Sequence, residues 1–157
     1  MASSFIVDPV ETIRGEVMRK IVHAGIFTLD QIQRENSMAP ETVPYCRISI
    51  AQGAEFVADS QKLQSKTVIA EIDIFVNART QTQYAGQLGA MVEDCFGLFD
   101  QSSKKRNIPM PGWTGTVAVV SKFGRGSVTE ESDVNLYRLP ILLYVDLTLK
   151  KGAKYAL

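Results

Sequence analysis

The sequence is poor in the residues that build metal centres and disulfide frameworks. Its 157 residues include two cysteines, Cys46 and Cys95, which lack C-x-x-C spacing, and one histidine, His23. A structural zinc site takes four such ligands, so we predict none. Both cysteines fall on predicted apolar faces, which favours free buried thiols in a reducing compartment. No serine or cysteine nucleophile pattern accompanies His23, so a role as catalytic base is not expected.

Net charge and long apolar runs are also missing. Lys and Arg together number 17, as do Asp and Glu, so nucleic-acid binding would need a local basic patch. No apolar run approaches the ~20 residues of a membrane span. The start, MASSFIVDPVE, lacks the basic and apolar regions of a secretion signal. The length predicts a single domain, residues 1–157, with a core at about 9–150 and a flexible C-terminal tail at 151–157.

Two segments carry helix signals. In residues 8–25, Asp8 can cap, Pro9 suits the first helical position and Gly25 ends the pattern. In residues 80–100, Thr80 and Gln83 have the spacing of a capping box. The predicted apolar stripes are Val10, Ile13, Val17 and Ile21 in the first helix, and Tyr84, Leu88, Met91, Val92, Cys95, Phe96 and Phe99 in the second.

Alternating apolar residues predict strands at 45–50, 54–58, 67–77, 114–123 and 137–150. Gly53 is predicted to turn the chain, and residues 26–44 and 101–112 to be irregular. Pro140 inside the last strand indicates a sheet edge or a bulge. Short hairpins imply antiparallel pairing. The predicted fold is therefore α+β, with a single antiparallel β-sheet and two helices packed on one face.

The segment TVIAEIDIFVN, residues 67–77, places two acids in an apolar strand. Glu71 and Asp73 would share one face, roughly 6.5–7 Å apart, a separation that suits an inverting glycosidase or two ligands of one metal. A glycosidase site also needs aromatic side chains that stack on the sugar in a cleft. Trp113 lies in a predicted loop, which does not provide such a cleft. No E-x-K follows, as a metal-dependent nuclease would require. The pattern favours a solvated or partner-covered face, and a metal-dependent hydrolase using Glu71, Asp73 and Asp146 is the alternative.

The neighbours of these acids predict contact with another protein. Apolar side chains flank Glu71 and Asp73, and others flank Asp146, so the face is too apolar for water alone. Acids on such a face would confer specificity. The tail ends in an apolar tip after several lysines, which could dock on an adjacent subunit. The predicted interface residues are Ile69, Glu71, Asp73, Phe75, Leu142, Tyr144, Asp146, Tyr155 and Leu157; no catalytic, metal or cofactor-binding residue is predicted.

The order of elements resembles a known family. An N-terminal helix leads into VPYCRISIAQG, then AEFVADSQKLQSKTVIAEIDIFVNA, the helix YAGQLGAMVEDCFGLF and finally LPILLYVDLTLK. This pattern, over about residues 9–150, resembles the tail terminator (tail completion) proteins of long-tailed bacteriophages. It includes a strand, Asn-Ala and helix passage but no invariant motif, and the polar connection at 124–135 and the C-terminal tail do not match it.

The resemblance implies a non-enzymatic virion protein, assembled in the host cytoplasm and located at the tail-neck junction. Such subunits are small α+β domains that close a ring, typically a homohexamer, on the tail tube. The ring ends tube growth and offers a docking surface to the head connector. The implied partners are further copies of the chain, the tail tube protein, the neck or head-connector protein, and DNA passing through the lumen, with no membrane and no cofactor. A tail-tube or neck subunit of similar fold is a further alternative.

Overall fold

The computed structural model describes residues 5–6, 9–34, 38–40, 42–57, 64–99, 103–110, 112–122, 127–131, 134–149 and 154–155. The helices are α1 (Pro9–His23), α2 (Thr82–Cys95) and α3 (Ser103–Arg106), with a 3₁₀ turn at Leu29–Gln31. The strands are β1 (Phe5–Ile6), β2 (Ile32–Arg34), β3 (Tyr45–Val57), β4 (Gln64–Asn77), β5 (Asn107–Met110), β6 (Trp113–Lys122), β7 (Ser127–Glu131), β8 (Val134–Leu149) and β9 (Lys154–Tyr155).

One main sheet organises the described chain. Its strands follow the order β2-β3-β4-β8-β6-β5, and β7 also pairs with β8. All these pairs are antiparallel except β2–β3, which is parallel. The mixed helix and sheet class is confirmed. The prediction of a single, wholly antiparallel sheet is wrong at β2 and at the separate parallel pair β1–β9, and α3 is a third helix beside the two predicted ones. The three residues of β2 are too few to show an alternation, and this segment was predicted to be irregular.

The core lies between the sheet and the two longer helices. Alternate residues of β4 are fully buried there, as the alternation of the sequence predicts: Val68, Ala70, Ile72, Ile74 and Val76. The helices add Ile13, Val17, Met18 and Ile21 from α1, and Ala85, Leu88, Val92 and Phe96 from α2. Burying such side chains is the main stabilising contribution to the fold.

The two cysteines are free, as predicted. Cys46 is fully buried in the core, whereas Cys95 is half-buried. Burial, and then the charge of Asp73, raises the pKa of the Cys46 thiol to about 12. The thiol is therefore protonated at neutral pH and behaves as a small apolar side chain.

The apolar stripe of α2 is narrower than predicted. Tyr84, Met91 and Phe99 are exposed, by 41%, 46% and 64%, because the helix ends at Cys95 and its inward side includes Ala85. The predicted capping box is also absent at this helix start. Instead, the Asn77 side-chain oxygen accepts hydrogen bonds from the backbone N–H groups of the next turn, at Arg79 and Thr80.

Two regions predicted as turn or loop contain regular structure. β3 runs through Gly53, where the sheet register shifts between Gln52 and Glu55 instead of turning. The segment predicted to be irregular at 101–112 contains α3 and β5. Arg106 fixes this segment, since its guanidinium donates to the carbonyls of Gly97, Val117 and Ala118 at 3.0–3.1 Å. Tertiary hydrogen bonds of this kind leave no periodic signal in the sequence.

Pro140 lies where β8 exchanges one neighbouring strand for another. β7 pairs with β8 as far as Arg138, and β6 pairs with it from Ile141 onward. Among the described residues, Pro140 therefore has a strand neighbour only on the β4 side, opposite Asp73. A residue without an N–H suits a gap between two paired strands, which is the physical basis of the predicted irregularity.

Replacing two glycines by alanine, one inside α1 and one just after it, should change the unfolding free energy in opposite directions. Gly25 has φ +74° and ends the helix: its N–H donates to the carbonyl of Val22, and the N–H of Ile26 donates to the carbonyl of Ile21. Because alanine disfavours a positive φ, Gly25→Ala should cost about 1–2 kcal/mol of unfolding free energy. A Cβ at Gly15, inside the helix, meets nothing within 4 Å, so Gly15→Ala should stabilise by about 0.5–1 kcal/mol. Urea unfolding of both variants checks this; equal shifts would contradict the assigned helix end.

Candidate functional site

The predicted interface residues of β4 and β8 lie on the sheet face opposite the core. We call this the outer face. Reading along β4, Ile69 pairs with Tyr144, Glu71 with Leu142 and Asp73 with Pro140. Phe75 pairs with Arg138, and Thr67 pairs with Asp146. The structure thus brings seven of the nine predicted residues onto one face, in a band along two adjacent central strands.

A charged cluster of Arg47, Glu71, Asp73 and Arg138 occupies the middle of the outer face. Arg47 Nη2 donates to Asp73 Oδ2 at 3.2 Å, and Arg138 Nη2 donates to Glu71 Oε2 at 3.1 Å. Arg138 Nε lies 3.2 Å from Asp73 Oδ1, in a geometry that makes an ion pair without a hydrogen bond. Two acids and two guanidinium groups neutralise one another, so the cluster has no net charge to attract a cation or an anion.

The two acids of the charged cluster differ in their surroundings. Asp73 is completely buried beneath the arginines, whereas the side chain of Glu71 is 33% exposed. Burial first, then the hydrogen bond and charge of Asp73, raises the pKa of Glu71; the charge and hydrogen bond of Arg138 oppose this. Two neighbouring carboxyls, one of them with a raised pKa, are the raw material of an acid–base pair. Here, however, guanidinium groups already contact both carboxylates.

The raised pKa of Glu71 predicts a specific pH dependence. The folded protein holds this proton more tightly than the unfolded chain, so Glu71 stabilises the fold below its ordinary pKa of 4.5. That contribution is lost as pH rises through the folded-state pKa. The unfolding free energy of wild type minus that of Glu71→Gln should therefore fall as the pH rises above 4.5. Urea unfolding at several pH values measures this difference; a rise over the same range would show that pairing with Arg138 dominates.

An aromatic cluster lies at one end of the outer face. The rings of Tyr45 and Phe75 stack at 4.8 Å and 20°, and the Arg47 guanidinium lies 5.0 Å from the Phe75 ring centre. Leu136 completes the cluster, and its three hydrophobic members are buried. Phe75 and Asp73 are consequently interior residues of the subunit, so a partner would contact the groups that cover them.

The other end of the outer face is accessible. Ile69, Leu142 and Tyr144, which we call the apolar zone, are all half-buried within the described chain. Asp146 beside them is exposed, and its Oδ1 accepts a hydrogen bond from Thr67 Oγ1 at 3.0 Å. The buried side chains of α1 and α2 belong to the core on the opposite face. The apolar zone is thus the part of the predicted interface that can meet another surface directly.

The three acids of the hydrolase alternative do not converge. Asp146 stands four residues along β8 from the residue opposite Glu71, a separation of roughly 13 Å in an extended strand. Within the described residues, no group of three or more His, Cys, Asp or Glu side chains is placed to hold a metal ion. Glu71 and Asp73 are together, as the spacing predicted, but with arginines as their neighbours.

The two remaining predicted residues lie in the C-terminal tail. Lys154–Tyr155 forms β9, which pairs in parallel with Phe5–Ile6. Leu157 is outside the described residues. The single-domain division and the flexible tail stay predictions, with this short ladder joining the two terminal segments.

Arg47 and Arg138 are the site residues that the sequence reasoning missed. Both lie on the outward side of their strands, β3 and β8. Pairing β3 with β4 as a hairpin would place Arg47 opposite an acid, a favourable cross-strand pair. Arg138 could not be found this way, because the β4–β8 pairing joins segments distant in the sequence.

Comparisons with known proteins establish the fold alone. No family model matches the sequence, and no curated protein matches it. Solved structures do share the fold: one that is 16% identical aligns with a TM-score of 0.58, covering 87% of this chain and 94% of its own. No helix in the described part of the chain is long and apolar enough to span a membrane.

Proposed function

We propose that this chain is a phage tail terminator subunit, a virion protein that forms a homo-oligomeric ring on the tail tube. The ring, expected to be a hexamer, would end tube growth and present a docking surface to the neck or head connector. In this proposal the subunit uses a sheet with α1 and α2 on one face, leaving the outer face for contacts. The resemblance in element order motivates the family, and the charged cluster argues for a binding role over a catalytic one.

The observation that carries the proposal is the half-buried apolar zone of Ile69, Leu142 and Tyr144 on a face that also holds self-neutralised charges. Accessible apolar side chains beside paired polar groups on one face are typical of a protein interface. A neutral, arginine-covered cluster can lie beside a partner without leaving a charge unpaired. A hydrolase site would instead need carboxylates accessible to substrate or metal.

Light scattering and negative-stain microscopy test the proposal. The wild-type chain should form a discrete closed ring at micromolar concentration. Ile69→Lys should weaken assembly at least about tenfold, because it introduces a charge into an apolar contact. Leu29→Lys is the matched control, since Leu29 is 59% exposed in the 3₁₀ turn, and it should assemble as wild type does. A monomer at all concentrations and salt conditions would refute the ring.

The two alternatives predict different results. A metal-dependent hydrolase should bind a divalent metal at a clear stoichiometry and lose it in the Glu71→Gln, Asp73→Asn double variant. A tail-tube subunit should polymerise into open tubes instead of closing. Titration calorimetry and microscopy of the same preparation distinguish these from a terminator ring.

A further inference from the structure

The solvent side of α2 carries no charge. The helix contains no Asp, Glu, Lys or Arg from Thr82 to Val92. Its exposed residues in this range, which we call the α2 face, are Thr82, Gln83, Tyr84, Gln87 and Met91. The solvent side of a surface helix normally carries charged residues, whereas protein interfaces are depleted of charge and enriched in tyrosine and methionine. The α2 face therefore has the composition of a contact surface.

Exposed cations border the α2 face at both of its ends. Arg79 precedes the start of the helix. Lys104 belongs to α3, which the ion pair of Lys105 with Asp94 at 3.3 Å holds beside the end of α2, and it borders the same cleft as Met91. Within the described chain, no acid pairs with the side chain of Arg79 or Lys104. The α2 face is thus neutral along its length, with available positive charge at each end.

The accessible end of the outer face has the opposite charge. Beside the apolar zone, Asp146 is exposed, and its carboxylate accepts a hydrogen bond from Thr67. No cation of the described residues pairs with Asp146. Glu71, the other accessible acid of this face, is neutralised by Arg138. The apolar zone is therefore bordered by one carboxylate that lacks a counterion.

The two surfaces match in length and lie on opposite sides of the subunit. Tyr84 and Met91 are seven residues apart in α2, about 10 Å along the helix axis. Leu142 and Asp146 are four residues apart in β8, roughly 13 Å along the strand. Because the inward side of α2 belongs to the core, on the other side of the sheet, the α2 face points away from the outer face. The two surfaces can meet only between two copies of the chain.

We propose that the α2 face of one copy packs on the apolar zone of the next, with a cation at the end of α2 beside Asp146. Charge selects this arrangement: two outer faces packed together would bring acids together, and two α2 faces would bring cations together, whereas unlike surfaces bring acid to cation. A contact between different surfaces is head-to-tail, and such contacts generate closed rings when the rotation permits. The inference rests on the proposed ring and adds which surfaces of neighbouring subunits meet.

Cross-linking between two variants tests the contact. Thr116→Cys places a thiol on the outer face beside Asp146, and Gln83→Cys places one on the α2 face; both positions are exposed. Each variant also carries Cys95→Ser, because Cys95 is half-buried, whereas Cys46 is buried. Mixed before assembly and treated with a flexible bis-maleimide, the variants should give dimers that contain one chain of each, identified by intact mass. Dimers of either variant with itself as the main product would show a like-with-like contact and overturn the inference.

A second pair of variants separates the contact from folding. Met91→Lys should need at least about tenfold higher concentration to assemble, because it introduces a charge into the α2 face. Val22→Lys is the matched control: Val22 is 38% exposed on α1 and Met91 46% exposed on α2. The control should assemble as wild type does, and neither variant should change thermal unfolding of the monomer. If the wild type forms a ring but Met91→Lys behaves like the control, or no mixed dimers form, the inference is wrong while the ring survives. A monomeric wild type would overturn both.

Discussion

Replacing Phe96 with alanine should lower the free energy of unfolding by about 3–5 kcal/mol, as expected for removing a large side chain from a packed core. Phe96 is fully buried at the end of α2, within the cluster that joins both long helices to the sheet. Lys20 of α1 lies over its ring, 5.9 Å from the centre. The substitution would thus leave a cavity at the junction of three elements. Urea unfolding at a concentration below assembly measures the change.

Phe99 provides the matched control for this experiment. It is the same residue type three positions later, yet 64% exposed, so Phe99→Ala should change monomer stability by no more than about 0.5 kcal/mol. The sequence pattern placed both rings in one apolar stripe. Similar losses for the two variants would support that stripe and contradict the helix end at Cys95.

Replacing Asp73 with asparagine should cost about 2–4 kcal/mol of unfolding free energy. Removing one member of a buried ion pair typically costs about 3–5 kcal/mol, because the partner charges lose their counterion. Arg47 and Arg138 are 29% and 31% exposed, so water recovers part of this loss. The variant would also leave the two arginines with Glu71 as the only acid of the charged cluster. Urea unfolding across a range of salt concentrations measures the effect.

Asp146→Asn is the control on the same face. Asp146 is exposed and accepts one hydrogen bond from Thr67, so its replacement should stay within about 0.5 kcal/mol of wild type. Comparing the two variants distinguishes Asp73, an acid that stabilises the fold, from Asp146, an acid at the surface. An equally small loss of unfolding free energy in Asp73→Asn and Asp146→Asn would contradict this prediction. It would mean that water solvates Arg47 and Arg138 well enough to replace the buried carboxylate.

The sequence predicted those parts of the fold that depend on local periodicity. The inward side of β4 and the stripe of α1 follow from spacing alone, because each has a long regular alternation. The ends of α2 do not follow, since Asn77 closes a separate turn over Arg79 and Thr80 before the helix begins at Thr82, and Gly97 follows the helix end at φ +83°. The short strands β2, β5 and β7 exist through pairing with longer neighbours, and segments of three to five residues carry too little pattern to reveal it.

The candidate site was predicted in position but not in chemistry. Alternation placed Glu71 and Asp73 on the outer face. It could not reveal that Asp73 is buried, because the covering arginines come from two other strands. One of those strands, β8, is separated from β4 along the chain by α2, α3, β5, β6 and β7. A contact between such distant segments depends on topology, which the local sequence does not encode.

The exchange of β7 for β6 alongside β8 has a mechanical consequence. β8 runs without interruption from Val134 to Leu149, past the point where β6 replaces β7 as its neighbour, and β4 is paired along most of its length. A force that pulls on the two ends of β8 would act parallel to the strand. Antiparallel ladder bonds lie perpendicular to the strands, so such a pull would load many of them together in shear instead of opening them one by one. The sheet should therefore resist extension along β8 more strongly than separation of β8 from its neighbours.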